Sequence, residues 1–184
     1  MRTCKILFGM SVVAAISGCS GADAPTSPDL AVLAARGDSK VAVVRMQDAC
    51  DPATFAGVPG GCQRNGGITF DQFIAQLQQI HQVPSWRFNP ADLILKEGAE
   101  YQATNFGGEV HTFTEVEEFG GGRVPALNEL AGLTEVAPEC ESLTGSDFIP
   151  PGASTDAEEA EVGEEHYQCC IHPWMRMELQ VGKH

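Results

Sequence analysis

Cys169, His172 and Met175 place a thiol, an imidazole and a thioether within seven consecutive residues. Their joint spacing sits on a pattern that reads as strand, loop and strand. Side chains alternate faces along a strand, so Tyr167, Cys169 and Ile171 point one way, and Gln168 and Cys170 the other. The aromatic and aliphatic neighbours mark the first set as inward. Cys169 is therefore the donor and Cys170 is turned away. After the loop, residues 177–181 read as an outgoing strand. Singly, a buried cysteine or methionine is ordinary core packing. Jointly, a thiolate, imidazoles and a weak, long thioether suit a copper ion that cycles between Cu(I) and Cu(II).

The stretch resembles the cupredoxin family, and within it the amicyanin-like ligand loop with a C-x2-H-x2-M spacing, which maps onto Cys169, His172 and Met175. The likeness continues through Arg176 into the outgoing strand. Cupredoxins also use a longer spacing to the axial ligand, which leaves Met177 as the alternative to Met175; the order Pro173, Trp174, Met175, Arg176 favours Met175. The family's first histidine lies on an earlier strand after an asparagine, so Asn105 and His111 fit. The resemblance thus implies one type 1 (blue) copper ion held by His111, Cys169, His172 and Met175. Asn105 and Thr112 are candidates for hydrogen bonds that orient those ligands. It covers roughly the last hundred residues and the segment from Lys40 to Met46, but not the stretch between them.

The N-terminus reads as an export signal: Arg2 and Lys5 precede a short apolar run from Ile6 to Ile16. The run is too short to span a bilayer. Its ending at Cys19 resembles a lipoprotein lipobox, in which the cysteine is lipidated. Residues 1–18 are then a lipoprotein-type signal peptide, residues 19–37 a flexible tether, and residues 38–184 the cupredoxin-like copper-binding domain. The expected location is the periplasm or cell surface, with membrane contact through a lipid anchor alone. Such a compartment permits disulfides. Cys50 and Cys62 flank a turn-rich loop, and their bridge would be worth about 3 kcal/mol. Cys140 and Cys170 are the second expected pair; the alternative recruits either one as an extra thiolate for structural zinc.

Residues 40–46 are rich in β-branched side chains and read as a strand. Thr69 opens a capping box with Gln72, and Phe70, Phe73, Ile74, Leu77 and Ile80 recur at helical intervals, predicting a helix over residues 69–83. Short strands follow at residues 93–95, 100–104 and 110–116, the last carrying His111. Gly120 to Gly122 begin a long connection that holds a short helix at most. The chain is therefore expected to be all-β: a Greek-key antiparallel β-sandwich with one inserted helix and long loops. The acidic run over residues 156–165 reads as a solvated loop.

The expected function is electron transfer by a copper protein; the alternative is a module that stores or delivers copper. No enzymatic activity is expected, because four protein ligands leave no open coordination position. His172, flanked by Ile171, Pro173 and Trp174, is the expected port to a redox partner protein. With a net charge of −14, that partner would carry a basic surface and nucleic acid is excluded.

Overall fold

The computed structural model describes residues 41–183. The expected signal peptide, the tether and the lipidation site at Cys19 lie outside them, as does His184. Eight strands build two four-stranded sheets. The first contains β1 (Ala42–Gln47), β2 (Arg87–Asn89), β4 (Glu100–Asn105) and β6 (Glu158–Glu159) in the order β2-β1-β4-β6. The second contains β3 (Asp92–Lys96), β5 (Thr114–Val116), β7 (Gly163–Gln168) and β8 (Arg176–Gly182) in the order β3-β8-β7-β5. Alternation fills the space between the sheets: Val44 and Met46 from β1, Tyr101 and Ala103 from β4, Leu93 and Leu95 from β3, and Met177, Leu179 and Val181 from β8 form one buried core.

The described residues thus make a two-sheet β-sandwich, but its sheets are mixed where antiparallel ones were expected. β1 pairs parallel with β4, and β3 parallel with β8. Parallel neighbours need a long crossover connection. Between β1 and β4 that crossover holds the Cys50 to Cys62 loop, the helix, and strands β2 and β3.

The inserted helix, α1, spans Phe70–Ile80. Thr69 caps it by accepting from the Gln72 amide while the Gln72 side chain returns to the Thr69 amide. It ends three residues earlier than the expected residue 83, because His81 takes a left-handed conformation (φ 59°) and its amide bonds to the Leu77 carbonyl. Phe73 and Leu77 are its buried face, and Phe73 packs edge-on against Phe55 with ring centroids 5.6 Å apart.

Both cysteine pairs are disulfides, Cys50 to Cys62 and Cys140 to Cys170. The second ties the long connection to the back of the ligand strand. That connection carries two short helices, α2 (Pro125–Leu130) and α3 (Pro138–Glu141), and Val116, Ala137, Cys140 and Cys170 form a small separate core beneath it. A Cβ at Gly122 would collide with the Cys170 carbonyl, so only glycine permits this approach.

Two other expectations are corrected. The strand expected over residues 110–116 shrinks to β5, and His111 sits before it in an isolated bridge with Ile149. The acidic run is no simple loop: it contains β6 and the start of β7, whose pairing with β8 supplies the ladder bonds that its polar composition hides.

Candidate metal centre

Two segments deliver the candidate ligands. Cys169 follows the last residue of β7, and His172 and Met175 lie in the turn that returns to β8. The Met175 amide bonds to the His172 carbonyl at 2.9 Å, and the Cys169 amide to the Met175 carbonyl at 3.0 Å. These two bonds fold the loop back on itself, and His172 Nδ1 comes to 3.8 Å from Cys169 Sγ. His111 arrives from the segment between β4 and β5, held by paired backbone bonds to Ile149.

Cys169 Sγ lies 3.8 Å from His111 Nδ1 and 3.8 Å from His172 Nδ1. All three residues are buried, and their donor atoms lie within 4.8 Å of one another. At roughly trigonal angles, bonds of about 2.0–2.1 Å to imidazole nitrogen and about 2.3 Å to thiolate sulfur separate nitrogen from sulfur by about 3.8 Å. The spacing therefore fits one transition-metal ion between them. Met175 is fully buried beside this set, whereas Met177 lies in β8 opposite Tyr167.

Cys169 is the free cysteine among the described residues. Burial alone would raise its pKa, but hydrogen bonds and charge from His111 and His172 outweigh it and hold the thiol well below its ordinary value. The Thr112 amide adds a 3.4 Å contact to the sulfur. Thr112 also accepts from the Cys170 amide through its hydroxyl at 2.7 Å, joining the His111 segment to the ligand strand. Asn105 is fully buried; its amide nitrogen donates to the carbonyls of Glu109 and Ile149 at 2.8 Å each, and its oxygen accepts from Gly107. Asn105 thus sets the path of the chain into His111.

Two carboxylates escaped the sequence reading. Asp48, just after β1, has an oxygen 2.9 Å from His111 Nε2. Burial acts to raise its pKa, but the hydrogen bond and charge of His111, helped by the Glu109 and Gly108 amides, hold it at about 2. His111 responds in kind: burial lowers its pKa, while Asp48 and Cys169 lift it to about 9. Glu109 lies behind the other imidazole, 3.7 Å from His172 Nε2, and accepts from Trp86 Nε1 at 2.7 Å. Burial raises the pKa of Glu109. Neither acid forms a recognisable motif. Asp48 is 63 residues from its imidazole, a separation that no local pattern reports.

The expected electron port is corrected. His172 is only 3% exposed, so very little of its ring reaches solvent. Phe73 of α1, Trp86 and Trp174 pack against its ring with centroids at 6.4, 6.5 and 5.5 Å. Of these three, Phe73 and Trp86 are buried, and Trp174 is partly exposed. The inserted helix, absent from a minimal sandwich, supplies part of this cover.

The fold and site together define a β-sandwich with a buried donor set of one thiol and two imidazoles. No family model matches the chain, and no curated protein matches it. Among solved structures it is similar to a purple cupredoxin from Nitrosopumilus maritimus, with 13% identity over 77% of this chain and 99% of that one and a TM-score of 0.42. It is also similar to amicyanin from Paracoccus versutus, with 10% identity over 79% of this chain and 85% of that one and a TM-score of 0.40.

Proposed function

We propose that this chain is an electron carrier with one type 1 copper ion bound by His111 Nδ1, Cys169 Sγ and His172 Nδ1, and with Met175 as the weak axial ligand. The observation that carries the reading is the buried convergence of three donor atoms at the spacing a single ion requires. Bound there, copper supplies one-electron redox chemistry. The residues supply rigidity: the Asn105 and Thr112 bonds and the closed loop fix the donors, so little atomic movement accompanies a change of charge.

Burial favours a carrier over a storage or delivery module, because an ion to be handed on needs an exposed ligand to leave by. With His172 covered, the partly exposed Trp174 is the aromatic route from that imidazole to a partner protein. The acidic composition suits a basic docking surface. Two disulfides suit the exported, lipid-anchored location implied by the N-terminal pattern.

Loading the protein with one equivalent of Cu(II) tests the reading. An intense visible charge-transfer band with reversible one-electron cycling is the expected result. A colourless, easily surrendered Cu(I) would favour delivery, and stoichiometric zinc with no copper in protein from copper-supplemented cells would end the proposal. Met175→Gln is expected to retain copper while shifting the spectrum and potential, since the axial bond is the weak one. The same shift from Met177→Gln instead would move the axial role to Met177.

A further inference from the structure

We infer that Asp48 is a positioning residue for the metal centre: its carboxylate selects the Nδ1-donor form of His111 and biases the site toward the more highly charged Cu(II) ion. The inference rests on the copper reading above. It starts from what surrounds Asp48, whose side chain is 1% exposed. Oδ2 receives the Gly108 amide at 2.8 Å and the Glu109 amide at 3.0 Å; Oδ1 receives the Gly108 amide at 2.9 Å and the Cys50 amide at 3.2 Å. Amide N–H groups can only donate, so both oxygens act as acceptors. The remaining neighbour, His111 Nε2 at 2.9 Å from Oδ2, must then carry the hydrogen and donate as well.

That assignment determines the other end of the ring. With Nε2 protonated, a neutral His111 has its lone pair on Nδ1, the nitrogen that faces Cys169 Sγ at 3.8 Å. A carboxylate behind a ligand imidazole fixes the ring's tautomer and orientation and makes it a stronger donor. A buried negative charge also stabilises the higher oxidation state more than the lower.

The cradle is built for this carboxylate. A Cβ at Gly107 would collide with the Asp48 carboxyl group, and one at Gly108 would stand 2.7 Å from Cys50 Sγ and 3.1 Å from Cys62 Sγ. The two glycines therefore let the chain wrap closely around Asp48 while the Cys50 to Cys62 bridge backs it. The disulfide loop, unexplained by the sandwich itself, becomes the outer wall of the His111 support.

Asp48→Asn keeps the size of the side chain but replaces one acceptor oxygen by a donor, so it cannot receive all of these hydrogens. Cu(II) affinity is expected to fall roughly 10- to 100-fold, with a smaller loss for Cu(I). Each tenfold difference between the two losses raises the reduction potential by about 59 mV. Nitrogen-15 NMR of the metal-free wild type, recorded at a pH above the His111 value of about 9 so that the ring is neutral, is expected to show His111 protonated at Nε2 alone, with a larger share protonated at Nδ1 in the variant. Gly107→Ala, which displaces the carboxylate without removing its charge, is expected to move both readouts the same way.

A purely structural Asp48 would lower the melting temperature and leave tautomer and potential alone; that result overturns the inference. So does metal-free wild-type protein whose neutral His111 ring, above about pH 9, carries its hydrogen on Nδ1 instead of Nε2, a measurement that needs no variant to fold. The two readings fail differently. A wild type that takes up no copper defeats the electron-carrier proposal, whereas a copper-loaded wild type and Asp48→Asn variant with equal potentials defeat the Asp48 assignment alone.

Discussion

Cys169→Ser is expected to abolish the visible charge-transfer band and to weaken copper binding by more than about 100-fold, the upper range for loss of a residue that merely supports a ligand. The band requires a sulfur bonded to the ion, and a hydroxyl in the same place is a hard, weak donor for copper. The metal-free variant should still fold, since the serine oxygen can accept the Thr112 amide that now meets the sulfur. Copper titration followed by absorption, with circular dichroism as the control for folding, checks the result. A variant that kept both colour and stoichiometric copper would place the thiolate ligand elsewhere. Cys140 and Cys170 are joined in a disulfide, so no second free thiol among the described residues stands ready to substitute.

The readable part of this centre is the part encoded locally. Cys169, His172 and Met175 lie on one strand-loop-strand unit, and strand alternation alone separated Cys169 from Cys170. In the structure the first is free and faces the imidazoles, and the second is bridged to Cys140. The helix was readable for a similar reason, since its capping box and apolar spacing are contained within a dozen residues. What it covers was not readable, because an amphipathic face shows that something is buried without naming the neighbour. The port assigned to His172 fell for that reason. Parallel pairing of β1 with β4 was hidden in the same way: alternation along one strand says nothing about the direction of the next. The strand expected at residues 110–113 shows the opposite error, in which a β-rich pattern is overridden when Asn105 hydrogen-bonds to Glu109 and Ile149 and bends that segment into a loop.

Trp86 joins these late-appearing features into one prediction about stability and access. It is 1% exposed, lies near-parallel to Phe55 at 5.9 Å, meets Phe73 at 4.9 Å and His172 at 6.5 Å, and donates to Glu109. Trp86→Ala is expected to cost about 3–5 kcal/mol from the lost contacts and the cavity left behind. Leaving the Glu109 carboxyl without its donor adds about 1–3 kcal/mol. For a domain of ordinary stability, about 5–15 kcal/mol, the sum threatens folding at physiological temperature. Trp86→Phe keeps one ring in place of two and also loses the N–H, so it is expected to cost less than Trp86→Ala and to fold. Urea denaturation of the metal-free proteins measures both. Because the same ring covers His172, loss of copper to a chelator should also be faster in Trp86→Ala than in the wild type. A cost below about 1 kcal/mol, a typical value for an unremarkable substitution, together with unchanged copper loss, would show that neither the packing nor the shielding of His172 depends on Trp86.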